Sequence, residues 1–138
     1  MRVPDGQAST MQETAEEFRI DEERLGSATI VLAINGEADM RVAGELKDRL
    51  GEVLDDGPSA VVVDLTGATF VDSTALGVLL GAMKGQQARG GRFRVVASRA
   101  EIRRIFEMTL LDRVFELDLT RREALAAAGD GRPRVDSA

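Results

Sequence analysis

The chain contains neither cysteine nor histidine. Without cysteine it forms no disulfide and no thiolate metal site. Without histidine it lacks the usual general base near neutral pH and the commonest metal ligand, which excludes Ser-His-Asp and Cys-His mechanisms. No apolar run approaches the ~18 residues of a membrane span. The opening residues, Met1-Arg2-Val3-Pro4-Asp5-Gly6, have no apolar core resembling a signal peptide, so the expected location is the cytoplasm. Positive charge is in deficit: 18 Lys and Arg against 24 Asp and Glu give a net charge of −6. That balance argues against non-specific nucleic-acid binding, which needs a basic face.

What is present suits one soluble domain. The 138 residues are 43% hydrophobic and 30% charged, enough for a real core but too short for two ordinary domains. Residues 1–15 are polar, include Pro4 and Gly6, and show no period, so they read as a flexible N-terminal arm. The folded domain is expected over 16–128 and a frayed tail over 129–138.

Within the domain, Phe18 and Ile20 alternate with polar neighbours as in a strand. A turn at Leu25-Gly26-Ser27 and a second strand over 28–34 complete an N-terminal β-hairpin. Asn35, Gly36 and the residues through Met40 read as a loop. Val42, Leu46, Leu50, Val53 and Leu54 form a helical stripe, stopped by Asp55-Asp56-Gly57-Pro58. The β-branched run 60–65 has the signature of a strand covered on both faces. A helix over 74–88, ended by Gly90-Gly91, and a strand over 93–97 follow. Then come a helix over 101–108, a short strand over 114–117, and a helix over 120–128 with Thr120 as N-cap and Glu123 at N3. The order β-β-α-β-α-β-α-β-α predicts an α/β fold, a mixed four- to five-stranded sheet with helices packed on it.

Two local features call for an explanation. Gly77, Gly81 and Gly85 recur every fourth residue of the second helix, each costing about 1 kcal/mol against alanine. Close packing of the helix on the sheet is the expected compensation, with a partner surface as the alternative. Residues 84–104 carry Lys84, Arg89, Arg92, Arg94, Arg99, Arg103 and Arg104 against Glu101 alone. They read as a solvated helix face and an edge strand guarded by charge, with docking of an acidic partner as the alternative.

The residues best placed for chemistry lie in 64–80. Asp72, Ser73 and Thr74 stand in a row where a loop becomes a helix, and one side-chain oxygen suffices to cap a helix N-terminus. At least one hydroxyl is left over. From these residues alone Ser73 is either a plain cap or a phosphate acceptor. Asp64, late in a buried strand, reads as a carboxylate bonded to nearby backbone or to Thr66. An aspartyl-phosphate receiver built on Asp64 would need an acidic pair after the first strand and a late lysine. Lys47 and Lys84 are the only lysines, and the opening hairpin disagrees with such a fold. Residues 85–91 lack the Gly-Lys-Ser/Thr ending of a phosphate-binding loop.

Three segments together resemble the STAS domain family, and specifically bacterial anti-sigma factor antagonists. They are Phe70-Val71-Asp72-Ser73-Thr74-Ala75-Leu76-Gly77, the loop Asn35-Gly36-Glu37-Ala38-Asp39, and the run from Ile102 to Phe115. The resemblance spans roughly 17–128. It implies that Ser73 is phosphorylated by a partner serine/threonine kinase that doubles as the anti-sigma factor, and that a serine phosphatase reverses this. It also implies that Thr74 fills a position usually Ser or Thr, and that Asp39 is the acidic loop residue near the acceptor. Ala75 departs from the glycine common in the family.

The physics of such a switch is independent of the resemblance. A phosphate adds about −1.5 to −2 charge, which a helix N-terminus tolerates. Phosphorylation should therefore act on an interface and leave the fold intact, with Asp39, Glu37 and Asp72 as sources of repulsion. The expected contact face comprises Glu37, Asp39, Met40, Asp72, Ser73, Thr74, Leu76 and Gly77. No catalytic role, cofactor or metal is expected. The alternative is a non-switching STAS scaffold, of the stressosome type or as a soluble subunit of a lipid transporter.

Overall fold

The computed structural model describes residues 17–129. The expected arm at 1–15 and nearly all of the expected tail lie outside this range. Among these residues six strands and four helices follow in order: β1 Arg19–Leu25, β2 Thr29–Ala38, α1 Ala43–Asp55, β3 Ala60–Asp64, β4 Ala68–Val71, α2 Ser73–Ala88, β5 Arg92–Val96, α3 Ala100–Met108, β6 Glu116–Asp118 and α4 Arg121–Ala127. A 3-10 turn, Leu111–Arg113, joins α3 to β6.

The sheet order is β1-β2-β3-β5-β6, with β4 pairing separately to β2. β1 and β2 form the antiparallel hairpin, from Arg19 opposite Asn35 to Leu25 opposite Thr29. The remaining pairs are parallel. Every residue of β3 is buried, as its unbroken Ala-Val-Val-Val run requires of a strand covered on both faces.

The main core lies on the side of α1, α2 and α3. Ile30, Leu32, Ile34, Val61, Val63, Phe93 and Val95 point from the sheet toward Leu46, Leu50, Leu79, Met83, Ile102 and Phe106. Phe115 meets Phe106 edge-on at 5.5 Å between ring centres, a favoured aromatic geometry. The opposite face buries a smaller cluster, Val31, Val62 and Val96 against Ala124 of α4.

Three expectations need correction. First, the sheet has six strands, because residues read as a loop are paired. β2 continues through Asn35 and Gly36 to Ala38, where Gly36 adopts φ +87° and the pairing with β4 slips by one residue. Asn-Gly usually signals a hairpin turn, but here the glycine bends a strand onto a new partner. Gly36 N–H donates to Gly67 O at 3.0 Å. A Cβ on Gly67 would sit 1.9 Å from Asn35 Oδ1, so any larger residue there would displace the Asn35 side chain.

Second, β5 is no edge strand. It lies between β3 and β6, and much of the basic segment is spent internally. Arg94 pairs with Asp118 at 2.7 Å, Arg103 donates to Ser98 O at 2.7 Å, and Arg89 reaches Leu54 O.

Third, Gly77 and Gly81 do not serve close packing on the sheet. An added Cβ at either would meet nothing within 4 Å. Of the three, only Gly85 is close-packed: a Cβ there would stand 3.2 Å from Leu54 Cδ2 of α1.

Candidate functional site

The C-terminal ends of β2 and β4 lie side by side, with Glu37 opposite Phe70 and Ala38 opposite Val71. From there β4 passes directly into α2. Asp72 is extended, at φ −102° and ψ 178°, and caps the helix. Its Oδ1 accepts the Ala75 N–H at 2.9 Å. Its Oδ2 accepts the Met40 N–H at 2.9 Å, and its own N–H donates to Ala38 O at 3.1 Å. One carboxylate thus closes the helix end and ties the 39–42 loop to it.

Because Asp72 does the capping, Ser73 and Thr74 are not needed for it. Both are exposed, at the first and second positions of α2. Ser73 Oγ stands where free N–H groups and the helix dipole favour negative charge.

The neighbouring loop carries its own charge cluster. Arg41, which the sequence reading passed over, pairs with Asp39 at 2.7 Å and with Glu37 at 3.3 Å. Its side-chain hydrogen bonds hold the Asp39 carboxyl below the usual carboxylate range, and Asp39 in turn raises the guanidinium. The signal was in the sequence, as acid, acid, base at alternate positions 37, 39 and 41. The repulsion expected from Asp39 and Glu37 is therefore partly neutralised beforehand, and Asp72 is occupied by two N–H groups.

Of the eight residues expected on a contact face, seven gather here at or near the surface. Met40 is 69% exposed, and Gly77 is exposed one turn below Ser73. Leu76 is the exception. At 3% exposure it belongs to the core, and it cannot touch a partner. The error is one of helical phase: position 76 faces the sheet, while 73, 77 and 81 share the outer stripe.

Below Ser73 and Thr74 runs a groove that the sequence did not announce. It lies between α1 and α2, has a volume of about 540 Å³, and is lined by Lys47, Leu50, Gly51, Leu54, Thr74, Gly77, Val78, Gly81 and Ala82. The open space above Gly51, Gly77 and Gly81 is its floor.

Asp64 behaves as the simpler reading required. Its Oδ1 accepts from Thr66 N–H at 2.9 Å and Thr66 Oγ1 at 2.6 Å, and its Oδ2 from Arg121 Nε at 3.0 Å. Both oxygens are committed, at 6% exposure.

A mixed sheet with an opening hairpin and a capped helix that presents a free serine defines a small α/β domain built around a strand-to-helix turn. The family model for the STAS domain matches residues 19–124, and the chain belongs to that family. It is 36% identical over 102 residues to the anti-sigma-F factor antagonist RsfB of Mycobacterium tuberculosis, covering 74% of this chain and 83% of that protein. The crystal structure of an anti-sigma factor antagonist from Mycobacterium paratuberculosis superposes with a TM-score of 0.75. That match has 32% identity and covers 82% of this chain and 95% of the other. The unphosphorylated anti-sigma factor antagonist SpoIIAA has the same fold, with a TM-score of 0.70 at 19% identity over 83% of this chain and all of that one.

Proposed function

We propose that this protein is an anti-sigma factor antagonist switched by phosphorylation of Ser73. Unphosphorylated, it binds an anti-sigma factor that is also a serine/threonine kinase, and so frees a sigma factor for transcription. Phosphorylated, it releases that partner until a serine phosphatase restores it. The protein is a substrate and a binding module and not a catalyst, working in the cytoplasm. No helix among the described residues is long and apolar enough to cross a membrane, in keeping with that setting.

The observation that carries this reading is the division of labour at the turn. Asp72 takes both structural tasks, capping α2 and holding the Met40 loop, and leaves the Ser73 hydroxyl exposed. A hydroxyl freed from capping can be modified without unwinding the helix. The 37–41 segment, the end of β2 and the loop after it, is tied to the same carboxylate and supplies the neighbouring contact surface.

The test is incubation with candidate anti-sigma kinases and ATP, read by mass spectrometry. Phosphate should appear on Ser73 and be lost in Ser73→Ala, which should still bind the kinase. Ser73→Glu should bind at least tenfold more weakly while melting cooperatively. Wild-type affinity in Ser73→Glu, or transfer to another residue, would refute the switch.

A further inference from the structure

We propose that Lys47 is the counter-ion of phosphorylated Ser73, and that the pair bridges the mouth of the groove between α1 and α2. The inference rests on the phosphorylation reading above and adds the residue that receives the phosphate.

Both helices start at the same end of the sheet, since each follows the C-terminal end of one of the paired strands β2 and β4. They therefore descend side by side, with their N-termini together. Leu54 marks the lower level, against Gly85. Seven residues back along α1, at ~1.5 Å per residue, Lys47 stands about 10 Å higher, level with the Gly77–Val78 turn and roughly 8 Å below Ser73 by the same rise, and it lines the groove with Thr74. Ser73, four residues before Gly77, stands one turn above it at the rim of the groove, beside Thr74, and does not itself line it. Lys47 thus reaches across the groove toward the start of α2 on a flexible four-carbon stem.

The charges around Ser73 favour Lys47 over the other nearby cation. On its own turn is Asp72, whose oxygens both accept N–H groups. On the adjoining end of β2 and the loop after it are Glu37, Asp39 and Arg41, whose guanidinium already serves two carboxylates. From α1 comes Lys47, exposed and without an ion pair or hydrogen bond among the described residues. Among the described residues it is also the only charged one lining the groove. Among the described residues, a dianion arriving at Ser73 meets a net negative segment on one side and the uncommitted Lys47 ammonium on the other.

Pairing the two draws a bridge over the glycine floor of Gly51, Gly77 and Gly81. The modification then removes a free surface cation at the same moment as it adds an anion.

The experiment installs phosphoserine at position 73 during translation, so it needs no kinase, and follows the phosphate by ³¹P NMR against pH. An ordinary phosphoserine has a second pKa of about 6, and a cation alongside lowers it. Lys47→Ala and Lys47→Gln, the second of which keeps most of the stem, should both raise that pKa by roughly 0.3–0.7 pH unit. Lys47→Arg should hold it near the wild-type value, and Arg41→Ala should raise it less than Lys47→Ala does. An unmoved pKa in Lys47→Ala, or a larger rise in Arg41→Ala, overturns the proposal. Failure of any kinase to modify Ser73 would instead refute the switch itself and leave this titration intact.

Discussion

Asp64 and Asp72 close two successive strands, eight residues apart, and each commits both carboxylate oxygens, yet they do opposite things for the molecule. Asp64 turns to the back of the sheet. It joins Thr66 to Arg121, whose other arm reaches Glu23 on β1 at 2.7 Å, so that α4 is clamped across β1 and β3. Burial alone would lower the Arg121 pKa; the hydrogen bonds it donates to Asp64 and Glu23 more than offset that, and the net shift is upward. Asp72 turns to the front and bonds only to backbone N–H groups. One aspartate holds elements together through a buried charge pair. The other organises a surface so that its neighbour is free to change charge.

The sharpest way to break this contrast is Asp64→Ala. It leaves the Arg121 guanidinium without its buried partner and the Thr66 hydroxyl without an acceptor. Breaking a buried, hydrogen-bonded pair costs about 3–5 kcal/mol. Because the Arg121 side chain is 34% exposed and keeps Glu23, about 2–4 kcal/mol is expected by the same principle. The check is a urea melt. The loss should be shared by Arg121→Ala, with the double variant losing little more, since the two residues act as one unit. Phosphorylation of Ser73 should proceed normally in any fraction that remains folded.

The front and back of the molecule also differ in how readily the sequence discloses them. Strand β3 was legible because an unbroken β-branched run has only one comfortable home. Helices α1 to α3 were legible from their apolar periods, and Thr120 accepts the Glu123 N–H at 3.1 Å, as its spacing indicated. Strand β4 was missed because it is four residues long with two of them exposed, too short to show a period. The extension of β2 was missed because Gly36 bends a strand where the same dipeptide ordinarily ends one. At the site, the Ser73 turn was legible from local chemistry. Arg41 and Lys47 were not, because their roles depend on which loop and which helix arrive beside that turn. The clamp from Arg121 to Asp64 joins residues 57 positions apart, and no local pattern announces it.

Asp72→Ala should cost less than Asp64→Ala, about 1–2 kcal/mol, the usual loss for an N-cap, with the Met40 N–H left to water. Its functional effect should exceed its structural one. With the tie to Met40 gone, amide exchange at Met40 and Arg41 should quicken, and kinase binding should weaken although Ser73 is intact. Asp72→Asn should restore much of the cap, because its side-chain oxygen can still accept the Ala75 N–H. If Asp72→Ala melts like wild type and binds like wild type, the assignment of both tasks to one carboxylate fails.

The smallest expected effect is also the one that separates surface glycine from packed glycine. Gly81 lies in a helix interior with open space where a side chain would go. Gly81→Ala should therefore stabilise the fold by up to about 1 kcal/mol, through helix propensity alone. Gly85→Ala should gain less, because its Cβ would press on Leu54 Cδ2 at 3.2 Å. Gly91→Ala should lose stability, its Cβ falling 2.1 Å from Gln86 Nε2, the group that holds Pro58 O at 2.9 Å. Thermal melts of the three variants would rank them 81, 85, 91 from most to least stable. A stability gain at Gly81 means that the fold does not need glycine there, so any accompanying loss of kinase affinity would come from the groove that the new methyl group narrows. A loss of stability at Gly81 would instead show that the helix needs the glycine for its own packing, and the contrast between the two ends of the glycine line would collapse.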